Sequence, residues 1–412
     1  MSGVRILPSR LSGQVAALPS KSMSHRLAIC AALSGKAIVE NLNTAEDVMA
    51  TVDGLRALGY DLQLQKSTLI ASGQGIRQRI IDCVQSGTTL RLLFPLALDG
   101  IPTTFVTRGR LKERPMGEYR HICMGNGILF EKCDEGIHVC GKLRSGEFRL
   151  RGDVSSQFVS GMLLALSRLD GDSTLMLTTP LQSRDYVALT LQAMHFYGVT
   201  VDGQCDAFSI KGGQRYRGAT VVVEGDWSHA ANFLVAGAIA GDISCYGLDR
   251  NSKQGDKAII EILRAMGGYI EGKEQVSSHH AALHGTVVDV AQTPDIVPIV
   301  CVAACAAQGN THIINASRLR FKESDRLSEM VRCLTDLGAD IRAKGDEIFI
   351  CGTGRLRGGK TRSRDHRVVM ALSVSAAICD MPVLLEDTDA VNKSAPCFFH
   401  EFEQLGGRLQ YI

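Results

Sequence analysis

Aromatic residues are scarce in this 412-residue chain, at 5% with a single tryptophan, and there are only 10 prolines. Its cores must be built mainly from aliphatic side chains, and the Pro/Ser/Gln bias of a disordered chain is absent. Neither charge sign dominates: Lys plus Arg is 45, Asp plus Glu is 43, and the formal charge is +2. That excludes a polyanion-coating surface or an acidic tail, so any basic site is local. No run is long enough to span a bilayer; the apolar stretch Ile296 to Ala307 falls well short. The opening MSGVRILPSRLSG has no apolar core before its first Pro and Gly, so a soluble cytoplasmic protein is expected. The 13 cysteines contain no CxxC pair. Cys301 and Cys305 lie one helical turn apart with no His or second Cys pair nearby, so neither a metal site nor a disulfide framework is expected. They read as small buried hydrophobes in a reducing compartment.

What the chain does have is glycine, 42 residues of it, and a 45% hydrophobic content that exceeds the needs of one core. Two domains are expected. Six times a helix-like pattern ends in Gly and passes into a short strand-like run: LRALGYDL, MGNGILF, MHFYGVTV, RAMGGYI, TDLGADI and EQLGGRL. The glycines are Gly59, Gly127, Gly198, Gly267, Gly338 and Gly406, spaced by 68, 71, 69, 71 and 68 residues. Each is placed as the residue after a helix C-cap, where left-handed backbone favours Gly.

A second phase of the same period holds six mostly apolar helix patterns opened by Ser, Thr or Asp. They are SKSMSHRLAICAAL, SGTTLRLLFPLAL, DVSSQFVSGMLLAL, GDWSHAANFLVAGAIA, TPDIVPIVCVAACAA and SRDHRVVMALSVSAAI. The amphipathic helices are expected to begin near Glu46, Met116, Arg184, Gly255, Glu323 and Ser394, with β-rich runs such as STLMLT and PVLLED between. The fold class is therefore α/β, with six βαβαββ units, three to a domain. Helices apolar on nearly every face are buried. Their N-termini, aimed at one cleft, would present free N–H groups and positive dipole ends to anions. A binding solenoid is the alternative, but such repeats run 20 to 45 residues.

Charged and hydroxyl residues recur at these helix starts: Lys21, Ser22 and Arg26; Gly87, Thr88 and Arg91; Ser155, Ser156 and Gln157; Asp295; Asp365, His366 and Arg367. The second helices add Arg114, Ser183 with Arg184, the FKESDR group Lys322, Glu323 and Arg326, and Lys393. Singly each has an ordinary reading. Ser and Asp are common N-caps, Asp295 with Pro298 suits a first turn, and Lys322 with Arg326 is an i,i+4 pair balanced by acids. Their recurrence at one end of successive repeats is what points to a site.

LPSKSMSHR, SGTTLR, LKERPMG, VSSQF, VEGDWS, TPD, KESDRL, DHR and KSAP, in this order and spacing, resemble the 5-enolpyruvylshikimate-3-phosphate synthase (3-phosphoshikimate 1-carboxyvinyltransferase) family over essentially the whole chain. The resemblance implies the two-domain enolpyruvyl transferase fold, closing on its substrates. One domain would be discontinuous, residues 1–18 plus 226–412, and the other inserted, residues 19–225. It also implies the reaction: the enolpyruvyl group of phosphoenolpyruvate moves to the 5-hydroxyl of shikimate 3-phosphate by addition and elimination, and phosphate leaves.

By the same resemblance Lys21, Asp295 and Glu323 are catalytic. Asp295 is the base at the 5-hydroxyl, Glu323 the proton donor to the methylene carbon, and Lys21 stabilises developing charge. Shikimate 3-phosphate would meet Lys21, Ser22, Arg26, Ser155, Ser156, Gln157, Ser183, Asp295 and Lys322. Phosphoenolpyruvate would meet Lys21, Gly87, Arg114, Gln157, Arg326, Arg367 and Lys393. No metal or cofactor, nucleic acid or membrane is implied, and a monomer is expected. Three positions depart from the family pattern: Arg318 stands where Asn often contacts the phosphate and is not counted as a ligand, Leu92 replaces a common Pro, and Ala395 a larger residue. Two other readings compete. A UDP-N-acetylglucosamine enolpyruvyl transferase places a reactive Cys in the loop occupied here by RGRLKERPMG, which has none, and Lys-Asn in place of SKSxSxR. A non-catalytic anion-binding repeat protein would have no need of both Asp295 and Glu323.

Overall fold

In the computed structural model, which describes residues 3–204, 206–272 and 275–412, the six segments become six four-stranded sheets of identical pattern. The second repeat shows it plainly. Ile80–Asp82 pairs parallel with Thr103–Val106, which pairs antiparallel with Gly136–Cys140, which pairs antiparallel with Leu129–Cys133. A parallel neighbour needs a crossover, and an apolar helix supplies it; the antiparallel pair at the far edge needs only a tight turn.

Among the described residues there are twelve α-helices, alternating in character. The buried set is α1 (Lys21–Ser34), α3 (Gly87–Leu93), α5 (Ser156–Leu166), α7 (Trp227–Ala240), α9 (Val297–Ala306) and α11 (His366–Ser375). All fourteen residues of α7 are buried, as the absence of a polar face demands. The second set is α2 (Glu46–Ala57), α4 (Gly117–Gly125), α6 (Arg184–Phe196), α8 (Ile259–Ala265), α10 (Arg326–Asp336) and α12 (Phe398–Gln404). These bury one stripe only; in α10 it is Leu327, Met330, Cys333 and Leu334. Each of the six is followed after its C-cap by one of the repeat glycines, all at positive φ from 64° to 98°. In the last five repeats the next residue's N–H also reaches back into the final turn, as from Val199 to Met194 O. That pair of bonds satisfies carbonyls the helix leaves open.

Three local expectations need correction. The second buried helix stops at Leu93, because Pro95 has no N–H to continue it, and Pro95–Ala97 tightens into a 3-10 turn. Helices α8, α10 and α12 begin three or four residues later than the pattern suggested, each after a 3-10 turn. For α10 the start is fixed by Asp325, whose side chain accepts from Ser328 N. Lys322 and Glu323 consequently lie on the segment before the helix. Finally, Asp295 is not the cap of α9: Ile296 holds that position, with no side-chain cap, and Pro298 stands in the first turn.

The chain divides into two compact units, Met1–Leu18 with Gly225–Ile412, and Pro19–Glu224. Each has its own aliphatic core, the discontinuous unit's centred on α7, α9 and α11, the continuous unit's on α1, α3 and α5. Two strands are exchanged by sequence. Ser12–Ala16, just before α1, pairs parallel with Asp242–Tyr246 of the fourth sheet, and Thr220–Val222, just before α7, pairs parallel with Ala37–Glu40 of the first. The sixth sheet is completed by Gly3–Leu7, lying between Val383–Glu386 and Arg408–Tyr411. Among the described residues no helix is long and apolar enough to cross a membrane. Cys301 and Cys305 are buried in α9, and desolvation pushes the Cys305 thiol up to about 12.

Candidate active site

In the unit 19–224 the candidate residues gather at helix openings. Ser20 caps α1 by accepting from Met23 N at 3.3 Å, which sets Lys21 in the first turn, and Lys21 Nζ lies 2.9 Å from Asp47 Oδ2 at the start of α2. Arg26, one turn further, is 2% exposed. Its guanidinium donates to Thr190 Oγ1 at 2.8 Å, Ser22 O at 2.6 Å and Tyr186 O at 2.9 Å. Burial lowers its pKa to about 10, and in this state it ties α1 to α6.

Gly87 opens α3. A Cβ there would come within 2.8 Å of Arg114 Cζ and closer still to Nη1. Arg114 therefore lies against this turn only because residue 87 has no side chain. Across from it Gln157, in the first turn of α5, donates to Thr88 Oγ1 at 2.8 Å and accepts from Arg91 at 3.0 Å. Arg91 is 2% exposed, stacks over the Phe158 ring and also donates to Pro115 O. Ser155 caps α5, accepting from Gln157 N, and Ser156 is its first residue. Ser183 precedes α6 at φ 52°, ψ 48°, buried and making no capping bond. A left-handed non-glycine costs roughly 1–2 kcal/mol, a strain that suits a residue kept for its hydroxyl.

In the other unit a fully buried cation organises the cluster. Arg326, in the first turn of α10, has no exposed side-chain surface. It donates to Asp365 Oδ2 and Oδ1 at 2.9 and 3.1 Å, to Asp295 Oδ1 at 2.9 Å and to Glu323 Oε2 at 2.7 Å. These carboxylates hold its pKa above the ordinary arginine value even though burial opposes the charge. Lys322 Nζ sits 3.1 Å from Asp295 Oδ1, and Arg367 Nη2 reaches Asp295 Oδ2 at 3.5 Å. Desolvation brings the Lys322 ammonium down to about 8 even with Asp295 beside it. The i,i+4 pairing of Lys322 with Arg326 is thus replaced by convergence of both on Asp295. Lys393 ends the 3-10 turn Thr388–Lys393, and the contacts above do not include it.

Some partners escaped the sequence reading. Asp47 holds Lys21, and Asp365, placed at a helix start by the sequence and capping α11 there, also anchors Arg326. Asp256, 3% exposed and bonded by the Ser228 hydroxyl, has its pKa raised to about 6 by burial and by the Asp295 charge. The available signal was electrostatic. A buried cation demands a carboxylate, and acids at neighbouring helix openings were the places to look.

A sheet repeated six times, with cations and carboxylates collected at the openings of its helices, defines an α/β enzyme that handles anionic substrates with acid–base groups. Residues 7–402 match the model of the family described as EPSP synthase (3-phosphoshikimate 1-carboxyvinyltransferase). A 3-phosphoshikimate 1-carboxyvinyltransferase of Clostridium perfringens is 41% identical over 422 residues, covering 100% of both chains. One from Clostridium kluyveri is 42% identical over 420 residues, covering 99% of this chain and 98% of its own. The solved EPSP synthase of Acinetobacter baumannii superposes with a TM-score of 0.84 at 25% identity, covering 100% of both. The chain belongs to the EPSP synthase family.

Proposed function

We propose how this chain carries out the reaction of its family, the transfer of the enolpyruvyl group of phosphoenolpyruvate to the 5-hydroxyl of shikimate 3-phosphate with release of phosphate. The carrying observation is the convergence of Lys322, Arg326 and Arg367 on Asp295, with Glu323 on the same arginine. A pure anion-binding site would leave its cations for the ligand; here two carboxylates are held in fixed orientation among them. In the addition, Asp295 accepts the 5-hydroxyl proton as the oxygen bonds to C2 of phosphoenolpyruvate, and Glu323 delivers a proton to C3. In the elimination the roles reverse: Glu323 takes a proton back from the new methyl group, the C2–C3 double bond returns, and the C2–O bond to phosphate breaks as the proton held by Asp295 passes to the departing phosphate. Lys21 offsets charge built up at the reacting oxygens.

Ser22, Arg26, Ser155, Ser156, Gln157, Ser183 and Lys322 are assigned to shikimate 3-phosphate, together with Lys21 and Asp295. Gly87, Arg114, Gln157, Arg326, Arg367 and Lys393 are assigned to phosphoenolpyruvate with Lys21. Arginine suits both anionic groups because its planar fork bonds two oxygens at once. The protein acts as a monomer in the cytoplasm, where cysteines buried as these are stay reduced. The test is phosphate release without added metal or nucleotide. Release is expected only with phosphoenolpyruvate and shikimate 3-phosphate together, and turnover with UDP-N-acetylglucosamine in place of shikimate 3-phosphate would overturn the reading.

A further inference from the structure

Beneath the Lys21 and Gly87 openings runs a line of buried polar side chains that the reaction does not use. His25 Nδ1 lies 2.7 Å from Thr51 Oγ1, Thr51 Oγ1 lies 2.7 Å from Thr89 Oγ1, and Thr89 Oγ1 is 2.8 Å from Ser86 Oγ and 3.2 Å from Asp47 O. None of the four side chains is more than 1% exposed. The four residues belong to α1, α2 and the opening of α3, so the line crosses three elements.

Each hydroxyl has one proton to give, so the line has a sense. His25 is neutral, since burial takes its pKa down to about 3, and its Nε2 has no hydrogen-bond partner among the described residues. Were Nε2 protonated, a buried N–H would be orphaned, the rarer and costlier defect. The proton therefore sits on Nδ1. His25 donates to Thr51, Thr51 to Thr89, and Thr89 shares its one proton between the acceptors Ser86 Oγ and Asp47 O. Ser86 Oγ also accepts from Thr89 N at 3.2 Å, which closes the Ser86–Thr89 turn around Gly87 and Thr88. Asp47, at the other end, is the residue whose carboxylate holds Lys21.

We propose that Thr51 is a positioning residue for phosphoenolpyruvate: through this chain of hydrogen bonds it fixes the turn carrying Gly87 and Thr88 relative to Asp47 and Lys21. The proposal rests on the assignment of Gly87 to phosphoenolpyruvate. Aliphatic packing alone would hold the three helices together while tolerating small slides. A directional chain with both ends tied does not, because any slide breaks a bond that buried groups cannot replace with water.

The experiment measures KM for each substrate, kcat and thermal melting for Thr51→Val, which keeps the shape and removes the hydroxyl, and for Thr51→Ser, which restores it. Thr51→Val should raise KM for phosphoenolpyruvate about tenfold, the scale of one lost buried hydrogen bond, with KM for shikimate 3-phosphate within about twofold. Thr51→Ser should return the phosphoenolpyruvate value to near that of the parent. Thr89→Val breaks the same chain from the other side and should reproduce the effect, and the double variant should cost no more than either single one. If Thr51→Val does not fold, Thr89→Val decides by the same criteria. Equal rises in both KM values, no rise at all, or failure of serine to rescue would reduce the chain to core stabilisation and overturn the proposal. Gly87→Ala, measured alongside, separates the two levels. An unchanged phosphoenolpyruvate KM there removes the assignment of Gly87, whereas a rise there without one in Thr51→Val removes only the role of Thr51.

Discussion

Asp295 illustrates how much one carboxylate is asked to do: Oδ1 takes Lys322 and Arg326, and Oδ2 faces Arg367. None of these bonds is a helix cap, so an isosteric amide removes the charge without dismantling α9 and tests the proposed role of Asp295 as the base. Asp295→Asn should lower kcat by at least ~100-fold, the usual scale for a positioned general base. Calorimetry should show shikimate 3-phosphate still binding, and a near-normal kcat would strip Asp295 of the role. Lys322 makes a pH prediction whose sign is fixed by its lowered value of about 8. The ordinary lysine value is higher, so between about pH 8 and 10.4 the unfolded chain holds this proton more tightly than the fold does, and the group's stability contribution rises with pH there. On the proposed assignment of Lys322 to shikimate 3-phosphate, what is lost above pH 8 is a cation for that substrate. A single-proton fall in kcat/KM for shikimate 3-phosphate is expected from that pH, absent in Lys322→Arg. If the arginine variant shows the same limb, another group titrates. Gly87→Ala drives a methyl onto Arg114. It should raise KM for phosphoenolpyruvate and leave KM for shikimate 3-phosphate little changed, as read from steady-state rates with each substrate varied in turn.

Between α10 and α11 the connection is ionic. Asp365 accepts two bonds from the fully buried Arg326 and one from Arg367 N. Asp365→Asn keeps a capping oxygen but removes one charge partner, and breaking a buried pair typically costs about 3–5 kcal/mol. Urea unfolding of the variant should show a loss of that size in the transition of this unit, and a loss below ~1 kcal/mol would mean that Glu323 and Asp295 hold Arg326 unaided. This pair also shows what the sequence could and could not say. The six helix-ending glycines were legible because αL geometry is decided within one turn, and the apolar helices because burial on every face leaves its own composition. The starts of α8, α10 and α12 were not, since each follows a 3-10 turn whose backbone angles lie close to those of a helix, and only α10 has a side-chain cap, Asp325, to mark the change. The site divides the same way. Lys21 and Arg326 stand in recognisable motifs, but the bonds that orient them join residues 26, 31 and 39 positions apart. No local pattern announces those.

At the scale of the whole molecule, six sheets of one design serve two units whose sequence boundaries are unequal. Residues 19–224 form one unit as a continuous stretch, strand Thr220–Val222 included. The other unit needs Gly3–Leu7 and Ser12–Ala16, whose partners lie at Val383–Glu386, Arg408–Tyr411 and Asp242–Tyr246. This has a consequence in time. On a ribosome adding about 5–20 residues per second, the strand Gly3–Leu7 waits roughly 20–80 s for its neighbours to be made. The usual order, earliest residues folding earliest, is reversed: the opening strands stay idle while the continuous unit behind them completes itself. In chains stalled on the ribosome with residues 19–224 outside the exit tunnel, amides of Thr103–Val106 and Ser173–Leu177 should be protected from hydrogen exchange while those of Gly3–Leu7 are not. Simultaneous protection would mean that the early strands find shelter before their own sheets exist.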